Sequence, residues 1–226
     1  TPIKSSAASD VYKRQVLLGM VAKADNNPIV VGNSRFTFIT ENLVRMEYAN
    51  HQKFLDDSTL FAVNRQAGNV DVKVEKKDGK YIFSTSMMSV EFENDGFPFG
   101  QNNVRVSFEM DGKRKSWCMT DEQRNNLGGA ITTLDAIGSP IPLQEGLLSR
   151  DGWYLINDTG KDVYKNGWLS VRDRDHVQDL YLFVYGNDYK SALRSLKAIS
   201  GAVPMTRKYV HGSWSVSYTH LTLPTT

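Results

Sequence analysis

Cysteine is almost missing from this sequence. Cys118 is the only one in 226 residues, so no disulfide can form within the chain, which neither demands nor forbids export. It sits in the alternating run Lys115–Met119 and is expected to fill core space; a nucleophilic thiol would need a nearby base, and none is identifiable. No apolar run is long enough to span a bilayer. Neither sign of charge dominates. The 27 Lys and Arg and 25 Asp and Glu are interspersed and leave a formal net charge of +2, without the basic run that a nucleic-acid partner requires. Histidine is scarce, and His51, His176 and His211 share no metal-ligand spacing, so each reads as structural or surface. Asp56 and Asp57 have no third ligand at useful spacing and read as part of a solvated loop over 52–60. Asn126–Gly129 is weakly glycine-rich. It lacks the strand–glycines–helix setting and the Lys-Ser/Thr pair of a phosphate loop, which excludes nucleotide binding, and it reads as a loop whose glycines let backbones approach closely. No metal or cofactor is expected.

What remains is a β pattern in an ordinary globular composition, with 40% hydrophobic and 23% charged residues. The length suits one large β domain or two small ones. Arg35–Thr40, Val44–Tyr48, Val70–Glu75, Ser89–Glu93 and Asn103–Glu109 alternate polar and apolar positions, which puts one face on a core and one in water. Asp78-Gly79 separates Val70–Lys77 from Lys80–Thr85, and Asp111-Gly112 separates Val104–Met110 from Arg114–Met119. Both pairs are hairpin signals. Phe97–Gly100 is a rigid aromatic turn. Short strands with turns this frequent predict antiparallel sheets packed as a sandwich. Asp179–Tyr185 is nearly continuously apolar after its first residue and reads as a central strand buried on both faces. Gly186 ends it. Asn187 is a good N-cap, and Tyr189, Ala192, Leu193, Leu196 and Ile199 follow at helical spacing, closed by Gly201 and Pro204. Arg172–Asp175 alternates in charge and reads as a solvated turn. Trp168 nearby is an exposure candidate, though a single Trp is weak evidence for sugar stacking.

The stretch Gly146–Thr159 organises the rest. An apolar run leads into the polar turn Ser149-Arg150-Asp151-Gly152, and Trp153 begins a second strand. Gly152 takes positive φ without steric cost, so the chain reverses here readily. Taken alone, this is an ordinary hairpin with a buried Trp behind it. Arg, Asp and Trp grouped at a loop tip can also hydrogen-bond sugar hydroxyls and stack on a pyranose face.

Four blocks in order, Asn126–Asp135, Gly146–Thr159, Asp179–Leu193 and Pro204–Trp214, resemble the N-terminal, galactose mutarotase-like β-sandwich domain of glycoside hydrolase family 31, which includes α-glucosidases and α-xylosidases. The resemblance implies a mainly all-β fold, an antiparallel sandwich with one C-terminal helix leading into the first strand of a truncated (β/α)8 barrel. It also implies a retaining parent enzyme acting on an α-linked oligosaccharide or glycoside, with an aspartate nucleophile and an aspartate acid/base on the barrel. Neither catalytic block is present, so no catalytic residue is assigned and the chain alone is expected to be inactive, its partner being the missing C-terminal barrel. The site residues it implies are sugar contacts. Asp151 would accept from a hydroxyl, Arg150 would hold Asp151 or donate to a hydroxyl, and Trp153 would more readily anchor the loop. Trp214 would touch sugar or pack the barrel bottom.

Residues 1–15 and 216–226 resemble translated sequencing-adapter sequence of the kind found on metagenomic reading frames, and are expected to be non-native tails. Residues 16–24 resemble the end of a signal peptide closing at Ala22-Lys-Ala24, which implies a periplasmic or secreted protein; the other reading is a short first strand or helix of a cytoplasmic protein. The expected organisation is then a sandwich over 25–186, a linking helix over 187–203 and the start of the barrel over 204–215. Two other functions fit parts of the pattern. One is a stand-alone, non-catalytic carbohydrate-binding sandwich. The other is a mutarotase, which needs a histidine and a carboxylate converging in a groove, and no histidine here has a convincing partner.

Overall fold

The computed structural model describes residues 27–130, 138–203 and 205–208. The expected tails, the expected signal remnant, Trp214 and most of the expected barrel strand lie outside the described residues.

Alternation decides the architecture. β1 (Ile29–Val31), β2 (Ser34–Thr40), β3 (Leu43–Ala49), β10 (Trp153–Asn157) and β13 (His176–Val184) form one five-stranded sheet in the order β1-β2-β3-β13-β10. β5 (Lys73–Lys77), β6 (Lys80–Ser84), β7 (Met88–Phe92), β8 (Val104–Met110) and β9 (Lys113–Cys118) form a second as a simple meander. Every pairing in both is antiparallel. Phe36, Phe38, Val44, Met46, Leu180 and Leu182 of the first sheet meet Phe83, Val90, Phe92, Val106 and Trp117 of the second in one continuous core. The Phe36 ring lies 4.8 Å from Phe83 and 5.0 Å from Phe92, in the tilted contacts aromatic quadrupoles favour. This is the expected antiparallel sandwich.

Both predicted hairpins form. Asp78 and Gly79 have φ of 50° and 82°, and Asp111 and Gly112 have 54° and 67°, the doubly positive turn whose twist matches the strands it joins. The expected strand over Val70–Lys77 is shorter at its start. Val70 and Val72 are buried in the core, but the ladder begins at Lys73. Cys118 does not fill the core. It is half-buried at the rim, and its neighbour Trp117 takes the interior position.

The first sheet is buried on its other face too, and that face is divided. One end lies under α1 (Tyr189–Ser200), where Ile39, Leu43, Tyr181, Phe183 and Tyr185 meet Ala192 and Ile199. The cap is Asp188 rather than Asn187: its side chain accepts from Ser191 N at 3.0 Å, while Asn187 donates to Asp111 Oδ1 at 2.5 Å. Leu193, expected on the buried stripe, is 50% exposed. Ser195 is buried in its stead, donating to Asn42 Oδ1 at 2.7 Å. The other end lies under the 53–66 segment and a small three-stranded sheet of β4 (Ser58–Thr59), β11 (Val163–Lys165) and β12 (Trp168–Ser170). Trp168 on β12 is 77% exposed, as its flanks suggest.

That second end is ionic. Arg45 bridges Glu47 and Asp179, at 2.8 Å each. Arg65 reaches Asp158 at 2.6 Å and Asp179 at 2.8 Å. Arg172 reaches Asp179 at 2.7 Å and Asp158 at 3.3 Å. Arg35 pairs with Glu47 at 2.6 Å and with the exposed Asp56 at 2.7 Å. Burial opposes ionisation of Asp179, but Arg45, Arg65 and Arg172 outweigh it and hold its pKa well below the carboxylate range. Burial likewise opposes the charge on Arg45, and Asp179 and Glu47 outweigh it in turn. Arg172 is therefore a buried strut, not part of a solvated turn; the expected turn begins only after it.

Candidate functional site

The Ser149–Gly152 turn is not the tip of a hairpin. The run before it forms an isolated bridge, Asn126 with Ser149, while β10 after it pairs with β13. The turn closes on itself through Gly152 N to Ser149 O at 3.3 Å. It is fastened to the end of β13, because Gly152 O accepts from both Tyr185 N and Gly186 N at 2.9 Å. Gly152 has φ +79°, and a Cβ there would stand 2.8 Å from Met110 Sδ and 2.9 Å from Gly186 Cα. Only glycine allows both the conformation and the approach. Tyr185, buried below, donates from its hydroxyl to Leu147 O at 2.7 Å and accepts from Ser149 N at 2.8 Å. Its pKa is pushed up to about 12, chiefly by burial.

Asp151 is braced from the other side. Oδ2 accepts from Arg124 N at 2.9 Å, Asn125 N at 3.0 Å and Ser149 Oγ at 3.3 Å, and Oδ1 accepts from Asn125 Nδ2 at 2.7 Å. Partial burial would raise its pKa. The donors from Asn125, Arg124 and Ser149 outweigh that, and the carboxyl lies below its ordinary value. The expectation that Arg150 holds Asp151 is therefore corrected: the neighbouring 124–125 loop holds it. The Arg150 backbone N–H donates to Asn125 O at 2.9 Å, while its exposed guanidinium makes no hydrogen bond or ion pair among the described residues.

The guanidinium stands at an open hollow of about 610 Å³ that Lys115, Asp121, Glu122 and Arg124 also line. Asp121 is already committed, accepting from Cys118 N at 2.8 Å. The groups left to meet a ligand are mainly donors, from Arg150, Arg124 and Lys115, with Glu122 and the second lone pair of Asp151 Oδ1 as acceptors. The three cationic side chains are matched in number by the carboxylates of Asp121, Glu122 and Asp151, and their donors can meet oxygen acceptors on a ligand. Trp153 is 7% exposed, with its ring 6.0 Å from Trp117 in the core. It anchors the turn, lines the hollow, and is too buried to serve as a stacking platform. The structure thus brings Arg150, Asp151 and Trp153 together, with Trp214 outside the described residues.

The bracing residues were not picked out in the sequence. Asn126 clamps two loops, donating to Gly146 O at 2.8 Å and accepting from Gly146 N at 2.9 Å and Gly128 N at 2.8 Å. The Asn125-Asn126 pair ahead of two glycines is a turn signal that could have marked them. Of the glycines, Gly128 does permit a close approach, a Cβ there lying 2.9 Å from Leu143 Cβ, whereas Gly129 has open space.

His176 does have a carboxylate partner, contrary to expectation. Nε2 lies 3.0 Å from Glu47 Oε1, and Nδ1 lies 3.2 Å from Arg172 Nη1. A guanidinium only donates, so Nδ1 accepts and Nε2 donates to Glu47. Both side chains are fully buried beneath the ionic cluster, where no sugar reaches them, so the pair does not supply a mutarotase site. No cluster of His, Cys, Asp and Glu suited to a metal occurs among the described residues.

No family model matches the chain, and no curated protein matches it. Among solved structures, it is similar to the Flavobacterium johnsoniae GH31 dextranase complexed with glucose, at 17% identity and a TM-score of 0.43, over 76% of this chain and 26% of that one. It is also similar to a mutant of that dextranase complexed with isomaltotriose, at 17% identity and a TM-score of 0.39, with the same coverage. The chain spans about a quarter of the length of these structures.

Proposed function

We propose that this chain is the non-catalytic sandwich portion of an exported, retaining α-glycosidase of the family 31 type, and that it lends the Ser149–Trp153 turn to the sugar subsites of a catalytic barrel. The four sequence blocks support the family, and the observation that carries the role is the bracing of Asp151 by the 124–125 loop and Ser149. A loop that must meet a substrate across a domain boundary gains from being held before the substrate arrives. In this role Arg150 supplies the contact, donating to a sugar hydroxyl, and Asp151 chiefly fixes where Arg150 stands. The chain alone hydrolyses nothing, since the catalytic aspartates belong to the barrel.

Calorimetric titration of the chain with maltotriose and isomaltotriose tests this, beside an aryl α-glucoside turnover assay. Weak binding lost in Arg150→Ala, with no turnover, is the expected result. Turnover by the chain, or binding unchanged in Arg150→Ala, would overturn it.

A further inference from the structure

A sheet edge is a row of unpaired N–H and C=O groups, and most edges of this protein are guarded against pairing. The edge strands of the second sheet are β5 and β9. They carry Lys73, Lys76 and Lys77, and Lys113, Arg114 and Lys115. β1, β4 and β12 are edges of three residues or fewer. β10 has neither protection. It is the last strand of the first sheet, five residues long, and its sequence Trp-Tyr-Leu-Ile-Asn holds no charge and no proline. Its pairing with β13 runs without a bulge.

The register fixes which backbone groups face outward. Gly152 O accepts from Tyr185 N, and Asp158 N donates to Asp179 O. Tyr154–Phe183 and Ile156–Tyr181 lie on the same ladder, so residues 152, 154, 156 and 158 bond β13, while Trp153, Leu155 and Asn157 turn their N–H and C=O away. Trp153 O agrees, accepting from Gln123 Nε2 at 2.7 Å. The N–H of Trp153 and both backbone groups of Leu155 and Asn157 make no hydrogen bond among the described residues. Two hollows flank this edge. One, of about 370 Å³, lies at Tyr154 and is acidic, with Asp121, Glu122 and Glu145. The other, of about 400 Å³, lies at Ile156 and is lined by Leu60 and Phe61, with Lys161 and Asp162 beside them. Leu60 is 78% exposed there.

We propose that β10 pairs with β10 of a second copy of this chain, antiparallel about a two-fold axis at Leu155, so that the two first sheets become one continuous sheet. The strand is self-complementary in that register. The two Leu155 residues exchange a pair of hydrogen bonds, and each Trp153 N–H donates to the partner's Asn157 O. Tyr154 stands opposite the partner's Ile156, an aromatic–β-branched pair of the kind that stabilises ladders. The strand places no charge against its copy. The axis also carries the hollow at Tyr154 onto the partner's hollow at Ile156. Glu145 is thereby set toward the partner's Lys161, and neither side chain forms an ion pair within its own chain among the described residues. Leu60 is covered by the partner's Tyr154. A two-fold contact uses each edge once and closes at two, which gives a dimer rather than a fibre. A strand of another protein would also satisfy the backbone groups, but the self-complementary register and the opposed Glu145 and Lys161 favour a second copy. The dimer stands whether or not the sandwich belongs to a glycosidase.

Sedimentation velocity of the full chain over a wide range of concentration tests it, with backbone amide hydrogen exchange at both ends of that range. Monomer gives way to dimer as concentration rises, and the amides of Trp153 and Leu155 gain protection with it. Asn157→Pro removes an outward N–H at an exposed position and sets a ring against the incoming strand while leaving the β13 ladder intact; it keeps the chain monomeric. Glu145→Lys weakens the dimer about three-fold, and adding Lys161→Glu restores it. A thermal melt of each variant confirms that it is folded, and if Asn157→Pro does not fold, the exchange pattern and the charge swap decide. A monomer at every concentration would overturn the proposal and leave the edge to a strand of another chain or domain. Species that grow beyond two, a dimer whose Trp153 and Leu155 amides stay unprotected, a dimer unchanged in folded Asn157→Pro, or a charge swap that fails to restore association would each overturn it as well.

Discussion

Replacing Asp179 by Asn tests how the first sheet is held. The carboxylate accepts from Arg45 Nε at 2.8 Å and Nη2 at 3.1 Å, from Arg65 Nη1 at 2.8 Å and from Arg172 Nη1 at 2.7 Å. The arginines of the cluster, 35, 45, 65 and 172, are balanced by Glu47, Asp56, Asp158 and Asp179. Asn keeps the shape of Asp but removes one negative charge and turns an amide N–H toward a guanidinium, so the cluster keeps an uncompensated buried positive charge. Breaking a buried ion pair on one side costs about 3–5 kcal/mol, a fall in Tm of roughly 6–20 °C for a chain of this size. Denaturant and thermal unfolding, followed by far-UV circular dichroism, give the number. The pH dependence carries the same sign. The folded pKa of Asp179 is depressed, so its contribution is complete above the unfolded value near 3.9 and is lost as pH falls below that toward the folded value. The wild type should therefore lose stability below about pH 4, and Asp179→Asn should lose less over the same window. A penalty under about 1 kcal/mol, at the level of exposed pairs, would refute this account of the cluster.

Two substitutions address the turn itself. Gly152→Ala must place a Cβ against Met110 and Gly186 at φ +79°; it should cost about 1–3 kcal/mol and shift the Arg150 and Asp151 amide resonances, whereas a silent variant would mean the turn tolerates displacement. Tyr185→Phe removes the donor to Leu147 O and strands Ser149 N. A loss of about 1–3 kcal/mol is expected by denaturant titration, and no loss would mean the loop is not tied through Tyr185.

The strands were legible because alternation and Asp-Gly turns are local signals. β8 and β9 follow from Val104–Met119 almost to the residue, since a two-residue turn fixes register. The two-sided burial of β13 showed in its unbroken apolar run. The ionic half of the first sheet did not show. Arg45 and Glu47 on β3 have the same alternation as a solvated face, and nothing local says that the 53–66 segment and Arg172 will cover them. The Asp151 turn was visible as chemistry but not as geometry. Asp-Gly suggests a hairpin, whereas the bridge partner is Asn126, more than twenty positions earlier, and long-range pairing leaves no mark in a short window. Leu193 and Ser195 traded places on α1 for a related reason, because Asn42 and Thr40 beneath the helix supply polar partners that periodicity ignores.

The most direct measurement is a map of backbone amide shifts as isomaltotriose is added to the chain. If the braced turn is a sugar contact, the amides of Arg124, Asn125, Arg150 and Asp151 move together and saturably, and they cease to move in Arg150→Ala. If those amides stay still while others respond, or if none responds at all, the turn is a structural joint between β10 and β13 and not a place where the protein meets sugar.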